Sequence, residues 1–306
     1  MRYLAQFSTT EHITRNNLYM LTLYHPKTIV FTLAFTFFGV SYGQKADIDP
    51  VEVLKQVVIQ SNQIKTLRYH AIMNERIDGK MVQKDSYFKI NVSPLKIYVS
   101  QSFIGIKIDA LYVEGWNNNQ LLVATVGFPW IQLSLDPKGS KVRDNHHHTI
   151  FEAGFGYFAS VIDQLLKDHL DKITIRYIGP TKIFNKDCQK IQIIVNHYQI
   201  IPYTVQKGET LSVIAKKRLI NDYKILELNP EIDDYDDVKA GQVIKIPNLY
   251  AKMMYLYVDK NTMLPAQIEL HDEKGLYAIY GYNDVIINMP FDPDEFDKSY
   301  KNYHFR

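Results

Sequence analysis

The most restrictive feature of the sequence is a series of short runs in which apolar and polar residues alternate. From residue 69 to about residue 135 the runs include YFKINV, LKIYVSQSF, ALYVEG and LLVATV, separated by DGK, SP and NNN and followed by DPKG. Later runs are KITIRYIG, KIQIIVN, KMMYLYVD, AQIELHD and LYAIYGY. Alternation with a period of two is typical of half-buried β-strands, and the separating residues favour turns. The pattern predicts a meander of antiparallel strands.

Two segments have the apolar spacing of a helix instead. Residues 49–67 begin with Asp49, a suitable N-cap, and Pro50, which suits the first helical turn. Residues 148–170 contain an apolar face, and their two glycines predict that the regular helix begins near Tyr157. The predicted apolar positions are Val51, Leu54, Val57, Val58 and Ile64 in the first helix and Phe158, Val161, Ile162, Leu165 and Leu166 in the second.

Length, charge and cysteine content limit the number of domains, the partners and the cross-links that the chain can have. A chain of 306 residues buries one sizeable core, or a core plus a small domain. The formal net charge of +2 lacks the basic excess that nucleic-acid binding needs, so no nucleic-acid partner is predicted. Cys188 is the single cysteine, so no internal disulfide forms, and we interpret it as a small buried apolar residue.

The N-terminal region, residues 1–43, has the layout of a secretory signal. Lys27 precedes the apolar run at 28–40, and the small residues of 41–43 follow it. The run is shorter than the roughly 20 residues of a membrane span, although an uncleaved anchor stays an alternative. Because the first 19 residues are polar, translation from Met20 is the preferred interpretation. The predicted location is the periplasm or cell envelope.

Residues 203–248 interrupt the strand-rich pattern. YTV is extended, and GETLSVIAKKRL begins a helix that Thr210 can cap. DYKILELNP forms a second helix that stops at Asn229 and Pro230, and AGQVIKIP turns at Gly241 into a closing strand. The order is strand, helix, helix, strand.

This segment resembles a LysM domain, a βααβ module that binds glycans containing N-acetylglucosamine. The resemblance rests on YTVQKGETLSVIAKK, LELNPEI and VKAGQVIKIP, with Glu209 where aspartate is commoner. The two strands of such a module are antiparallel, so its ends emerge side by side and fit between the arms of a hairpin. KIQIIVNHYQII and KMMYLYVD are the predicted arms. We call residues 203–248 the insert and residues 44–202 and 249–306 the host domain.

The resemblance also implies a glycan groove between two loops of the insert. Peptide groups there bond the acetamido group, and apolar edges cover its methyl group and the sugar face. For Gly208 and Thr210, a purely structural role in the turn and the helix cap is an equally good interpretation, and Leu211 is partly a core residue. The predicted glycan-binding residues are Gly208, Glu209, Thr210, Leu211, Asn229, Pro230, Glu231 and Ile232.

The host domain is similar to lipoprotein-carrier-type periplasmic proteins, through YLYVDKNTMLPAQIELHDEKG and YGYNDVIINMPFDPDEFD. Within that group it resembles domain-of-unknown-function family 1571, through VGFPWIQLSLDPKGSKVRDNHHHTIFEAGFG. The predicted fold class is therefore α+β, an antiparallel half-open β-barrel with helices on its concave side and an inserted βααβ LysM module. Trp116, Phe128 and Trp130 are either lining residues of an apolar cavity or ordinary packing residues, and packing is the preferred interpretation for each.

The sequence gives little support for a metal site or a catalytic site. Consecutive histidines at 146–148 point to opposite faces of a strand, so packing is preferred to a metal site. Arg143 and Asp144 are interpreted as a local charge-assisted anchor. The acidic runs at 231–237 and 292–297 are interpreted as solvated loops rather than paired catalytic carboxylates.

The sequence thus predicts a secreted periplasmic binding protein with no catalytic residues, metal or cofactor. Its predicted partner is peptidoglycan or another N-acetylglucosamine glycan, and the host domain is a candidate binder of a lipid or lipoprotein segment. The alternative is a cell-wall glycan-processing enzyme that uses the LysM module for targeting.

Overall fold

The computed structural model of the protein describes residues 48–306, apart from residue 104, and two short strands that precede them. These strands, β1 (Tyr19–Leu21) and β2 (Leu33–Phe35), pair antiparallel. Apart from β2, the predicted export signal at 28–40 lies outside the described residues. Residues 48–306 form one compact unit.

This unit contains one large sheet, a separate two-stranded sheet and five α-helices. The strands are β3 (Thr66–Ile77), β4 (Lys80–Asn91), β5 (Lys96–Phe103), β6 (Ile106–Val113), β7 (Leu121–Thr125), β8 (Gln132–Leu135), β9 (Ile173–Ile183), β10 (Lys186–Val195), β11 (Ile200–Thr204), β12 (Val243–Pro247), β13 (Met253–Asp259), β14 (Pro265–Asp272) and β15 (Gly275–Ile287). The helices are α1 (Pro50–Asn62), α2 (Ser140–Arg143), α3 (Gly156–Asp168), α4 (Leu211–Arg218) and α5 (Asp222–Leu228). Short 3₁₀ turns lie at Asn117–Asn119, Ile150–Glu152 and Leu170–Lys172.

The large sheet is open and entirely antiparallel. Its eleven strands follow the order β8-β7-β6-β5-β4-β3-β15-β14-β13-β10-β9, so β8 and β9 are its edges. The two halves of the sequence meet at the β3–β15 pair, where Ala71 lies opposite Tyr282. The alternating runs therefore form the predicted meander, and the predicted half-open barrel is confirmed.

The long helices α1 and α3 bury their apolar faces against the sheet. As predicted, Asp49 caps α1, and its Oδ1 accepts a hydrogen bond from the backbone N–H of Val51 at 2.9 Å. Helix α3 begins at Gly156, beside the predicted start. One core joins both helices to strands from each half of the sheet. The buried residues of these two helices are Val53, Leu54, Val57, Val58 and Ser61 in α1 and Phe158, Ala159, Val161, Ile162 and Leu165 in α3.

The insert is continuous with the host hairpin formed by β10 and β13. These strands pair antiparallel, with Ile194 opposite Met253, as the sequence predicted. The insert follows as β11, α4, α5 and β12, and its strands form the two-stranded sheet. It has a core of its own that includes Leu211, Ile214 and Ile225, each fully buried.

Within residues 48–306, the part of the chain where helices are described, no helix is both long and apolar enough to cross a membrane.

Candidate functional site

The first loop of the predicted glycan groove joins β11 to α4. Gly208 is exposed, has a φ of +78°, and has open space where a Cβ would lie. Thr210 caps α4, because its Oγ1 accepts a hydrogen bond from the backbone N–H of Val213 at 3.2 Å. Leu211 is fully buried in the core of the insert. The structural roles considered for Gly208 and Thr210 are therefore both present.

Glu209 supports this loop from beneath. Its carboxylate accepts hydrogen bonds from Lys217 Nζ at 2.7 Å, the backbone N–H of Gln206 at 3.0 Å and the Tyr203 hydroxyl at 2.8 Å. The hydrogen bond from Lys217, together with the others, lowers the pKa of Glu209 to about 2. The carboxylate is thus ionised, and its bonds fix the loop.

The second loop of the groove joins α5 to β12. The buried Asn229 side chain accepts from the backbone N–H of Lys245 at 2.8 Å and donates to its carbonyl oxygen at 2.8 Å. Ile232 is 5% exposed and belongs to the core of the insert. Pro230 and Glu231 are exposed. Asn229 and Ile232 therefore support the loop, and its tip faces solvent.

The two loops lie side by side. We call residues 205–210 and 229–242 the end loops of the insert. The backbone N–H of Leu211, just after the first loop, donates to the carbonyl oxygen of Tyr235 in the second at 2.8 Å. The structure thus places both halves of the predicted site together. Its exposed members are Gly208, Pro230 and Glu231.

The insert is fastened to the host domain by a buried ion pair. Arg143 of α2 binds the Asp222 carboxylate through two hydrogen bonds of 2.9 and 2.5 Å, and Ser212 donates to the same carboxylate at 2.7 Å. The Arg143 guanidinium also lies 3.4 Å from the centroid of the Tyr235 ring. The predicted pairing of Arg143 with its neighbour Asp144 is wrong, because Asp222 supplies a bidentate partner in a buried setting.

A second group of buried charges lies on the same interface. Lys224 of α5 donates to Asp272 and Glu273 of the host at 2.7 Å each and to Glu227 at 2.9 Å. Arg76 of β3 binds Asp272 as well. Burial lowers the pKa of Lys224, but the hydrogen bonds that Lys224 donates to these carboxylates outweigh burial and raise it. The lysine is therefore compensated by host carboxylates only while the insert is docked.

The histidine run contributes its middle residue to this interface. His147 is fully buried between the rings of Tyr223 and Tyr277, with centroids 4.8 and 4.2 Å away. Its carbonyl oxygen accepts from the Asn221 side chain at 2.9 Å, and its Nε2 donates to the carbonyl of Arg76 at 2.9 Å. The packing role preferred from sequence is confirmed for His147. Among the residues that the structure describes, no three His, Cys, Asp or Glu side chains are grouped to hold a metal ion.

The host domain contains a partly open cavity of about 180 Å³ between the sheet and the segment that links α2 to α3. An engineered apolar cavity of roughly 150 Å³ holds benzene, whereas pockets for drug-sized ligands start near 300 Å³. The size therefore suits one ring or one stretch of acyl chain. Apolar lining residues include Ala71, Phe88, Val99, Ala110, Leu121, Val123, Val142, Ile150 and Phe158.

One end of the cavity is polar. The Lys84 ammonium donates to the Glu75 carboxylate, and Tyr280 donates to the same carboxylate at 2.9 Å. His146 has its Nδ1 3.3 Å from Lys84 Nζ and its Nε2 3.3 Å from the amide nitrogen of Gln101. The lining thus combines an apolar body with a few converging hydrogen-bonding groups, the usual composition of a ligand pocket.

Burial and charge set the protonation of this polar end. Burial lowers the pKa of His146 to about 4, and it also lowers to about 4 the pKa of the adjacent His147, which does not line the cavity. Burial raises the pKa of Glu75, but the neighbouring His147 and Lys84 outweigh it and hold that pKa below its usual range. At neutral pH the Glu75–Lys84 ion pair therefore lies beside the neutral imidazole of His146.

The aromatic residues singled out from sequence lie elsewhere. Trp116, Phe128 and Trp130 are 38%, 85% and 61% exposed, and none of them lines the cavity. Both interpretations, cavity lining and core packing, are therefore wrong for Phe128 and Trp130. The lining aromatics are Tyr69, Phe88, Phe158, Tyr280 and Tyr282, most of which alternate along predicted strands.

The second acidic run also has a structural role. Glu295, within residues 292–297, is 4% exposed and binds Arg68 of β3 and Lys89 of β4 at 2.8 Å each. It thereby fixes the C-terminal segment to the sheet. The first acidic run, residues 231–237, lies within the second end loop.

Two family models match separate segments of the chain. Residues 203–247 match the family model of the LysM domain. The insert is a LysM domain. Residues 65–199, which end where the LysM domain begins, match the model of a protein family of unknown function, DUF1571. No curated protein matches the chain.

Solved structures similar to this chain include proteins of three bacteria. A chain of the Pseudomonas aeruginosa MucA/MucB complex is 9% identical with a TM-score of 0.39, covering 81% of this chain and 60% of that one. The Mycobacterium tuberculosis lipoprotein LppX is 11% identical with a TM-score of 0.36, covering 79% and 96%. A LolA superfamily protein of Nitrosomonas europaea is 8% identical with a TM-score of 0.25, covering 81% and 97%. This chain thus spans 60% of the length of the MucA/MucB chain it matches.

Proposed function

We propose that the protein is exported to the cell envelope, where its LysM domain binds N-acetylglucosamine-containing glycan and holds the host domain at peptidoglycan. The LysM match at residues 203–247 carries this proposal. The arrangement of the domain supports it, because the host holds the insert through α5, Ser212 and Tyr235. Gly208, Pro230 and Glu231 are left exposed for the glycan.

Burial divides the eight predicted glycan-binding residues into two groups. Gly208, Thr210, Pro230 and Glu231 are exposed or half-exposed and would contact the sugar together with nearby peptide groups. The other four, Glu209, Leu211, Asn229 and Ile232, are buried and would shape the loops from beneath. A shallow site of this kind buries little area, so one domain binds weakly.

The host domain, in this proposal, binds an apolar ligand such as a lipid or a lipoprotein segment. The apolar lining of the cavity and its polar end at Glu75 and His146 support this role. A volume of about 180 Å³ is too small for a whole diacyl lipid, so one acyl segment would enter.

The glycan-binding part is tested by sedimentation with purified murein sacculi. Deleting residues 203–248 is a poor test, because it would also remove Asp222 and Lys224, which bind the host residues Arg143 and Asp272, and would thereby disturb the host domain itself. The variant Gly208→Asn is better, since asparagine tolerates positive φ and its side chain would extend into the open space beside the first end loop. We expect it to lose most of the binding.

A matched control is Gly115→Asn, at an open position in the host with a φ of +80°. It should bind sacculi like the unmodified protein. Equal binding by both variants would contradict the proposed groove, and no binding by the unmodified protein would contradict the glycan role. Release of soluble muropeptides by the purified protein would instead favour the glycan-processing enzyme.

A further inference from the structure

The hairpin between β7 and β8 ends in two solvent-facing aromatic side chains. Phe128 is 85% exposed and Trp130 is 61% exposed. Their rings meet edge to face, with centroids 5.7 Å apart. We call residues 127–130 the aromatic tip. The rings contact each other rather than the core or the cavity, and exposed apolar groups of this size usually mark a binding surface.

Exposed apolar side chains connect this tip to the cavity along the inner face of the sheet. Ile108 on β6 and Leu135 on β8 line the cavity. Residues two apart on a strand share a face, so Ile106 and Leu133 continue those two rows away from the cavity. Ile106 is 60% exposed, Leu133 is 50% exposed, and Ile131 beyond it is 47% exposed. We call these three residues the apolar track.

Positive charges flank the tip. The Arg306 guanidinium lies 5.0 Å from the centroid of the Trp130 ring. The exposed Lys107 lies on the neighbouring strand, where its carbonyl oxygen accepts from the backbone N–H of Val126 at 2.8 Å. Aromatic rings beside Lys and Arg are the combination that settles at the boundary between lipid headgroups and acyl chains.

We propose that the aromatic tip docks on an anionic lipid bilayer, with the apolar track leading from the bilayer surface to the host cavity. The rings would lie among the upper acyl chains, and Lys107 and Arg306 would face lipid phosphates. A membrane is favoured over a protein groove because the tip is a narrow hairpin end, continuous with an apolar path into a cavity. The proposal does not depend on glycan binding by the LysM domain.

The test uses the full chain carrying Trp116→Phe, which leaves Trp130 as the single tryptophan because the sequence contains two. Vesicles of phosphatidylcholine with phosphatidylglycerol should shift its fluorescence emission to shorter wavelength, and brominated acyl chains should quench it. Added salt should weaken the effect, since part of the attraction is electrostatic. Unchanged emission with these vesicles would overturn the proposal.

Variants then locate the contact. The double variant Phe128→Ser, Trp130→Ser should reduce co-sedimentation with the vesicles by about tenfold or more. Val243→Ser is the matched control, because Val243 is 63% exposed but lies on β12 of the LysM domain. Equal losses in both variants, or none in either, would overturn the proposal. So would a dimer of the unmodified chain that only the tip variant abolishes, because the tip would then join two copies.

Discussion

Arg143 of the host domain and Asp222 of the LysM domain are joined by two charge-assisted hydrogen bonds, of 2.9 and 2.5 Å, across the boundary between the two parts. The arginine side chain has no exposed surface. The LysM domain is therefore docked against its host rather than loosely tethered, and each part contributes charges that the other must neutralise.

The first prediction concerns this pair. Asp222→Ala should lower the free energy of unfolding by about 3–5 kcal/mol, because it leaves a buried guanidinium without its partner. Urea denaturation measures the change. Asp163→Ala is the control, since Asp163 pairs at 2.7 Å with a Lys167 side chain that is 70% exposed. That change should cost less than about 1 kcal/mol, and equal effects of the two substitutions would contradict the prediction.

Replacing both partners should be milder than replacing one. The double variant Arg143→Met, Asp222→Leu removes both charges and fills the space with apolar groups, which is often neutral for a buried pair. We expect it to recover most of the stability lost in Asp222→Ala, as measured in the same urea experiment. A double variant as unstable as the sum of the two single variants would show that the residues act independently.

Lowering the pH should destabilise the folded protein, because His146 and His147 bind protons less readily in the folded state than in the unfolded state. His146 and His147 have an ordinary pKa of 6.5 that burial lowers to about 4. Between these values the unfolded chain binds more protons than the folded one, so stability falls as the pH drops from 6.5 to 4. The expected loss is on the order of 3 kcal/mol per histidine. Glu75, whose pKa is lowered by folding, adds a further loss below its ordinary value of 4.5.

The measurement is the melting temperature as a function of pH. His147→Gln should flatten the acid limb of that curve, because it removes one of the two titrating groups. His197→Gln, at an exposed position, should leave the slope unchanged. A melting temperature that stays constant from pH 7 to pH 4 would disprove this account.

Filling the cavity with a larger side chain should abolish ligand binding without destabilising the fold. Ala110 lines the cavity, so Ala110→Phe should abolish binding of the fluorescent fatty acid 11-(dansylamino)undecanoic acid without lowering the melting temperature. Ala159, buried on α3 away from the cavity, is the control. Ala159→Phe should cost about 1–3 kcal/mol by overpacking. Failure of the unmodified protein to bind the probe would remove the support for an acyl-binding role.

Vesicle docking gives an independent readout of the cavity-filled protein. Ala110→Phe should still bind vesicles, because the aromatic tip does not contact the filled position. An error in the proposed role of the cavity would therefore appear in fatty-acid binding, and an error in the proposed role of the aromatic tip would appear in vesicle binding.

Local sequence patterns were sufficient for most of the architecture. The alternating runs fixed which residues face the interior of the sheet, and Asp49 and Thr210 cap their helices as predicted. The LysM segment was recognisable because its turns, caps and core positions are close together in sequence. In α1 the predicted apolar positions omit Val53, which is 6% exposed.

Contacts between distant residues could not be predicted in the same way. The sequence favours Asp144 as the partner of Arg143, whereas the true partner, Asp222, is on another domain and can be identified only from the docked fold. Lysine is usually a surface residue. Lys224 is buried because Asp272 and Glu273 accept hydrogen bonds from its ammonium group. Phe128 and Trp130 follow a strand-like run, so nothing local distinguishes a hairpin tip from a core strand.

The way the LysM domain is inserted has a mechanical consequence. Both of its connections leave from the same end of the β10–β13 hairpin, beyond the pair of Ile194 and Met253. If the LysM domain binds peptidoglycan as proposed, tension on it would open this hairpin one residue pair at a time, the direction in which paired strands resist force least. The bridges from Arg143 and Lys224 join the LysM domain to other parts of the host, α2 and β14, so they would share the load with the hairpin.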